Sequence, residues 1–205
     1  MKEVLPAMLT FTVMVAGCAT YEAQPSVTSL LETRHENVVI QQWDLSCAAA
    51  AVATLLNFQH GHLVSEREIA TSMLRKTDPV KVRVRGGFSL LDLKRFVETR
   101  ELVGTGYMDL DLEQLVDIGP SIVPVNLGDY NHFVVFRKLV GNKVLLADPA
   151  FGNRSIHVDD FRKGWLKNIV FAVTRRDERS APNKLSVMKA DFVLPSDFVV
   201  TQAVR

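Results

Sequence analysis

The chain changes from helix-forming to strand-forming sequence at Gly119-Pro120, which limits the folds that are open to it. Before this point, SERE at residues 65–68 and SLLD at residues 89–92 have the spacing of capping boxes, which begin helices. After it come segments rich in β-branched and aromatic residues, two of them joined by a predicted hairpin turn at Gly141-Asn142. The sequence therefore predicts an α+β domain of two layers, with helices from the first half packed on an antiparallel sheet from the second.

These signals give the predicted elements and the limits of the domain. Helices are expected at residues 47–57, 65–75, 89–99 and 112–116, and strands at residues 37–42, 121–127, 132–140, 143–147, 154–158 and 168–174. The domain is expected to span residues 37–175. Residues 176–205 are interpreted as a C-terminal appendage, whose apolar stretch 192–200 could be a docking strand, a hydrophobic clasp or a membrane-facing segment.

Composition and charge narrow the class of molecule. With 205 residues, 47% of them hydrophobic and 23% charged, the chain can bury one core, so a single domain is expected. The net charge of +1 gives no reason to expect nucleic acid as a partner. His60 and His62 have no cysteine or carboxylate at metal-ligand spacing, so we interpret them as a solvated turn. We expect neither a metal nor a cofactor.

The first residues are typical of an export signal. Residues 4–15 are almost wholly apolar, and the small residues VAG lead into Cys18. The stretch is shorter than the roughly 20 residues that span a membrane. It resembles a bacterial lipoprotein signal, with residues 1–17 as the signal peptide, lipid on Cys18 and residues 18–36 as a tether. Ordinary secretory cleavage and an uncleaved anchor are the alternatives.

Such a signal would decide both the location and the thiol chemistry. Ala19 follows the cysteine, in place of the aspartate that commonly retains lipoproteins at the inner membrane. We therefore expect an exported, periplasmic protein that is anchored to the outer membrane. With Cys18 lipidated, Cys47 would remain as a lone thiol in an oxidising compartment.

Cys47 stands where a polar turn gives way to an alanine-rich helix. The positive end of a helix dipole stabilises a thiolate, so this position favours a nucleophile. The alternative is a small buried hydrophobic residue, which is the usual fate of a lone cysteine. Gln41, six residues earlier, could offer its side-chain amide beside the Cys47 N–H as a donor to an oxyanion.

His132 begins an apolar strand, and Asp148 follows the strand that is predicted to pair with it. At one open end of this hairpin, the two would fit the base and orienter of a thiol protease, with Cys47 as nucleophile. The alternative is an edge histidine with its own partners and an aspartate that caps a turn.

Strand parity sets a condition on this triad. A regular two-residue turn pairs Val140 with Lys143 and sends Asp148 to the face opposite His132. We therefore expect a three-residue loop at residues 140–142 with a bulge, or a break in the second strand before Pro149. Without either of these, Asn131 or Asp129 would be the next orienter to test.

Several motifs in chain order resemble the bacteriocin-processing double-glycine cysteine peptidases, which trim leader peptides in exporters. They are Gln41-x5-Cys47 before an alanine-rich helix, GFSLLDL at residues 87–93, NHFVV at residues 131–135, LADPAFG at residues 146–152 and Trp165. The resemblance runs from about residue 38 to residue 173 and implies a papain-like cysteine peptidase fold. It also implies Cys47, His132 and Asp148 as the triad, with Gln41 completing the oxyanion hole.

Two departures from this family are visible. Ala48 stands where the family usually has a glycine, which narrows the approach to the sulfur. No transporter domain follows, so the chain is similar to free-standing proteases encoded with secreted functional amyloids such as the Fap system.

The resemblance implies an endopeptidase that cleaves exported polypeptides after small residues, with a Gly-Gly pair expected, through an acyl-enzyme. A non-catalytic peptide-docking module of the same fold, and a thiol acyltransferase or amidase, are the alternatives. The chain's own Gly86-Gly87 matches the substrate signature but is interpreted as a flexible loop.

Overall fold

A computed structural model describes residues 29–128, 130–176 and 183–186. Its helices are α1 (Leu30–His35), α2 (Cys47–Phe58), α3 (Glu66–Leu74), α4 (Pro79–Arg85), α5 (Leu90–Glu98), α6 (Leu112–Ile118) and α7 (Val158–Gly164), with a 3-10 turn at Leu166–Asn168. Its strands are β1 (Leu102–Tyr107), β2 (Ser121–Asn126), β3 (Asn131–Val140), β4 (Lys143–Asp148), β5 (Gly152–His157) and β6 (Val170–Arg175).

The six strands form one antiparallel sheet in the order β1-β6-β2-β3-β4-β5. One face packs against the core that includes α2, α3 and α5, and the other carries a second core with residues of α6 and α7. This arrangement confirms the predicted α+β class. Helices cover both faces, so the strands of the sheet centre are apolar on both sides.

The central helix α2 follows from the alanine run after Cys47. Residues 48–53 contain nothing larger than valine, and all six are fully buried. Small side chains let the helix backbone lie close to the sheet, where it packs mainly on β3. The predicted caps also form, because Ser65 accepts the Glu68 N–H and Ser89 forms a reciprocal capping box with Asp92.

Residues 37–42 are not the predicted strand. Their N–H groups have other partners: Val39 donates to the Thr54 hydroxyl at 3.0 Å, and Gln41 donates to the Pro149 carbonyl at 2.8 Å. The segment therefore runs along α2 and reaches the end of β4 without joining the sheet.

Sequence reasoning missed four elements: α1, α4, α7 and β1. The α4 sequence PVKVRVR alternates like a strand, but Asp78 caps its first turn, Pro79 opens it and Gly86 closes it with a φ of +76°. The β1 sequence LVGTGY holds two glycines, which weaken a strand signal.

Both chain segments that flank the predicted domain contact it. Helix α1 lies within the predicted tether and packs on β5. Within the predicted appendage, the Lys184 N–H donates to the Phe58 carbonyl at 2.8 Å, and the Leu185 side chain is fully buried. The predicted signal peptide, Cys18 and the apolar stretch 192–200 lie outside the described residues. In the ranges that the structure describes, no helix is long and apolar enough to cross a membrane.

Candidate active site

Cys47 is the first residue of α2 and is 8% exposed. The loop before it is held by Glu66, a carboxylate buried at the start of α3. The Gln42 N–H donates to both carboxylate oxygens, at 3.1 and 3.0 Å, and the Ser46 hydroxyl donates to one of them at 2.5 Å. Sequence reasoning did not single out Glu66, because its position in a capping motif already accounted for an acidic residue there.

His132 and Asp148 meet at the end of the sheet where β3 begins and β4 ends. His132 Nε2 lies 2.7 Å from Asp148 Oδ1, and both side chains are buried. His132 also interacts with Cys47, and both residues line the same cavity. Because Nε2 faces the carboxylate, Nδ1 is the ring nitrogen that faces the thiol. The structure therefore brings together the three residues that the sequence predicted as a triad.

Asp148 has further partners that hold its carboxylate in place. The Ala150 N–H donates to Oδ1 at 2.9 Å, and Arg154 lies 3.4 Å from Oδ2. Arg154 is tied in turn to the Phe151 ring by a cation–π contact. The turn between β4 and β5 and Arg154 therefore hold both carboxylate oxygens, Oδ1 together with the imidazole and Oδ2 alone.

The electrostatics of His132 reflect competing effects. Burial would lower its pKa, but hydrogen bonds to Asp148 and to Cys47 outweigh burial and raise the pKa to about 9. The imidazole therefore holds a proton at neutral pH. An imidazolium beside Cys47 stabilises the thiolate form of the sulfur.

A β-bulge on β3 gives the parity that the triad requires. The turn at Gly141-Asn142 is a regular two-residue turn that pairs Val140 with Lys143. The register then shifts between Phe136 and Lys138, which leaves Arg137 as an extra residue. Beyond the shift, Val135 pairs with Ala147.

This register places Asp148 on the same face as His132. An irregularity was expected, but both predicted positions for it are wrong. The loop is not the expected three residues long, and β4 runs unbroken to Asp148. The bulge lies in β3 instead, at Arg137.

Gln41 is bound to the end of β4, where its backbone N–H donates to the Pro149 carbonyl, and its side chain is weakly held. Its Nε2 lies 3.5 Å from the Trp43 carbonyl, at the limit of a hydrogen bond, and its buried Oε1 has no partner among the described residues. Asn131, the alternative orienter, accepts a hydrogen bond from Asn126 at 3.0 Å. Asp129 lies outside the described residues.

A cavity of about 210 Å³ lies beside the thiol. The Gly86-Gly87 loop forms part of its wall, together with residues of β2 and β3 and the 3-10 turn; the lining is Cys47, Arg85, Gly86, Gly87, Phe88, Pro124, Asn131, His132, Phe133 and Leu166. A Cβ on Gly87 would lie 3.4 Å from the Leu45 carbonyl oxygen, so backbone closely borders this part of the cleft. At its volume of about 210 Å³, the cleft beside the sulfur is smaller than the roughly 300–1,000 Å³ that is usual for ligand pockets.

The prediction of a solvated turn is wrong for His60. Its side chain is 6% exposed, and this burial lowers its pKa to about 4. Its carbonyl accepts a hydrogen bond from Arg175 at 3.1 Å. In the described part of the chain, no group of three or more His, Cys, Asp or Glu residues could hold a metal ion.

Comparison with known proteins agrees with this geometry. The model of the Peptidase C39 family matches residues 35–178. A protein of Pseudomonas aeruginosa called "Probable functional amyloid protease FapD" is 38% identical over 168 residues, which cover 82% of this chain and 72% of that protein. The protein of the same name from Pseudomonas fluorescens is 40% identical over 148 residues, which cover 72% of this chain but only 64% of that protein.

A solved structure supports the fold. The peptidase domain of Streptococcus ComA, described as a bi-functional ABC transporter involved in a quorum sensing pathway, aligns with a TM-score of 0.57 at 19% identity. The alignment covers 69% of this chain and all of that domain. The family model matches most of the chain, and the fold is shared with a solved peptidase domain. The chain therefore belongs to the Peptidase C39 family and is a cysteine peptidase.

Proposed function

We propose that this peptidase cleaves exported polypeptides after small residues, in particular after a Gly-Gly pair, through an acyl-enzyme. The observation that carries the proposal is the position of His132 between two partners. One ring nitrogen lies 2.7 Å from Asp148, and the ring interacts with Cys47 on the wall of the same cavity. Nucleophile, base and orienter are thereby in contact before substrate arrives.

In the proposed reaction, the resting pair is a Cys47 thiolate and a His132 imidazolium: Nδ1 holds the proton taken from the thiol, and Nε2–H donates to Asp148. The thiolate attacks the scissile carbonyl carbon, and the carbonyl electron pair moves to oxygen. When the C–N bond breaks, His132 passes its proton to the leaving amine and a thioester to Cys47 remains. Water, deprotonated by His132, then releases the acid product and returns the thiol.

The oxyanion of this reaction needs two donors. The Cys47 N–H at the start of α2 is one, and the Gln41 side-chain amide is the other. Gln41 suits this role because its Nε2 makes only a 3.5 Å contact and can leave it at little cost. The Gln41 amide would donate a short hydrogen bond to the oxyanion, whereas in the resting enzyme it makes only the long contact.

The limited volume of the cleft favours small residues at the scissile bond. Glycines at positions 86 and 87 line the cavity at the thiol, and the Leu45 carbonyl lies close behind Gly87. A substrate side chain next to the scissile carbonyl would have to fit between this wall and Cys47. Glycine meets that condition at no steric cost.

The test uses an electrophilic peptide that ends in Gly-Gly, together with the same peptide ending in Leu-Leu. We expect covalent labelling of Cys47 by the first and much slower labelling by the second, as measured by intact mass. Cys47→Ala, with unchanged thermal unfolding, is the control and should carry no label. A pure docking module would bind the peptide without labelling, and equal labelling by both peptides would refute the specificity.

We also propose that the natural substrate belongs to a secreted amyloid system and that the enzyme is a lipoprotein. The similarity to two proteins named as probable functional amyloid proteases supports the first point. The VAG-Cys18 motif supports the second. Ten residues separate Cys18 from the first described residue, so a tether of at most roughly 40 Å could precede α1.

Palmitate labelling in the native host tests the anchor, with Cys18→Ser as the matched variant. Label is expected in the wild type and absent from the variant. Label that survives the substitution would refute lipidation at Cys18. In a strain that carries Cys47→Ala, mass spectrometry of exported proteins would identify the substrate, because its uncleaved form accumulates. Comparison with the cleaved form from the wild type would locate the scissile bond.

A further inference from the structure

We propose that Arg137 is a positioning residue of the triad: it fixes the β3 bulge and so holds Asp148 on the face of His132. This inference rests on the proposed triad. It links the triad to the two chain segments that flank the predicted domain, because these segments supply the three carbonyl groups described below to which Arg137 donates.

The extra residue of the bulge decides on which face Asp148 lies. With it, Asp148 lies on the face of His132, and without it Asp148 would lie on the opposite face. The β2–β3 ladder is regular from Asn126–Asn131 to Ser121–Phe136, so it fixes the face on which His132 lies. The β3–β4 ladder begins in the regular register of a two-residue turn. Without the extra residue, that register would continue and turn Asp148 to the opposite face.

Arg137 is the extra residue, and its side chain is buried at 2% exposure. Its guanidinium donates to the carbonyls of Leu185 at 3.0 Å, Lys184 at 3.2 Å and Glu36 at 3.5 Å, and to Asn153 Oδ1 at 2.6 Å. In the observed bulged register, all four of these acceptors lie within reach of the guanidinium. The bulged register is therefore the one in which a buried cation is satisfied.

The acceptors come from three parts of the chain. Glu36 follows α1, Lys184 and Leu185 belong to the short segment after β6, and Asn153 lies on β5. Asn153 also donates from Nδ2 to the Glu36 carbonyl at 2.6 Å, which joins two of the acceptors to each other. The segments on either side of the core thus meet at one guanidinium.

The charge of this group is stable in the working range of the enzyme. Burial lowers the pKa of Arg137 to about 10, so it keeps its proton at neutral pH. A planar guanidinium reaches several acceptors at once, which a lysine ammonium on a flexible stem cannot do with the same geometry. Arg137→Lys therefore keeps the charge but removes the array of donors.

The test compares Arg137→Lys and Arg137→Met with Lys138→Met, a matched change at the next residue, which is only half-buried. The first measurement is the pH dependence of Cys47 alkylation by chloroacetamide, which needs no peptide substrate. In this profile of alkylation rate against pH, the step at higher pH, here called the upper step, reports deprotonation of His132 beside the thiolate. We expect both Arg137 variants to shift this step to lower pH, as loss of the Asp148 contact would, and Lys138→Met to leave it in place.

The second measurement is a double-mutant cycle with Asp148→Asn, using kcat and KM on a Gly-Gly peptide. Arg137→Lys should lower kcat by about 10²-fold with little change in KM, as a misplaced catalytic group does. Added to Asp148→Asn, it should lower kcat no further. Additive losses with an unmoved upper step would assign Arg137 a purely structural role and overturn the proposal.

Leu185→Ala covers the case in which both Arg137 variants fail to fold. It keeps the guanidinium but removes the buried side chain that holds two of its acceptor carbonyls in place. A smaller shift of the upper step in the same direction is expected, and no shift would contradict the proposal. Because the alkylation profile is read without cleavage, an enzyme that fails to cut Gly-Gly peptides would refute the proposed specificity alone.

Discussion

The two halves of the active site are held in place by different means. On the Cys47 side, a helix start, an alanine run and the Glu66 carboxylate act within about 25 residues of one another. On the His132 side, the geometry depends on a bulge whose arginine reaches from residue 36 to residue 185. The nucleophile is therefore placed by nearby sequence, and its base and orienter are placed by the completed tertiary fold.

This difference indicates where each half is vulnerable. A local arrangement survives most distant substitutions, because its hydrogen bonds close over short loops. A register that depends on distant acceptors is weakened when any one of them moves. Substitutions on the two sides should therefore differ in the size of their effect and in the kind of measurement that detects it.

The largest effect is expected on the orienter side, from Asp148→Asn. It should lower kcat/KM by about 10²–10⁴-fold, because the imidazole loses the partner that fixes its tautomer. The pKa of His132 is raised to about 9 by this carboxylate and by Cys47, against burial. Without the carboxylate, burial would lower the pKa of His132, so the basic limb of the pH–rate profile should move to lower pH.

Asp160→Asn is the matched control for that variant, since the Asp160 side chain is 67% exposed and its ion-pair partner in the described part of the chain is Lys163. It should leave rate and pH profile unchanged. A basic limb that stays in place in Asp148→Asn would assign that limb to a group other than His132.

On the nucleophile side, the next largest effect is expected from Gln41→Ala. It should lower kcat by about 10²–10³-fold with a nearly unchanged KM, because the oxyanion exists only near the transition state. Steady-state kinetics on one Gly-Gly peptide measure both constants. Gln42→Ala, a change in an exposed neighbouring side chain, should behave like the wild type. A rise in KM alone would place Gln41 in substrate binding.

The smallest effect on catalysis is expected from Glu66→Gln, which weakens the support of the Cys47 loop. Loss of hydrogen bonds to a charged acceptor should lower the free energy of unfolding by about 1–3 kcal/mol, as measured in urea. Activity should fall less than in Gln41→Ala. Glu68→Gln, on the same helix but in a surface ion pair with Arg100, should change stability by less than about 1 kcal/mol.

The sequence predicted the features that depend on local signals. Ser89 before Asp92 marked the start of α5, the alanine run marked α2, and hydrophobic strands marked the sheet. The residues predicted as a triad also lie together in the structure. Each of these rests on spacing within one or two elements, which a sequence displays directly.

The remaining features depend on contacts between distant residues. Parity showed that an irregularity was needed, but it lies at Arg137, whose partners are up to 101 residues away. Glu66 carried a local capping signal that concealed its role under the Cys47 loop. For residues 37–42, the competing partners Thr54 and Pro149 overrode strand propensity.

The position of β6 in the sheet has a consequence for how a newly made chain folds. Because β6 lies between β1 and β2, and β1 pairs with it along its full length, β1 has no sheet partner until β6 has been made. An unpaired strand is a template for aggregation with other chains. Glycines at positions 104 and 106 lower the tendency of β1 to pair wrongly during that interval. The same glycines that conceal β1 from sequence-based prediction thus reduce the risk of misassembly before β6 is made.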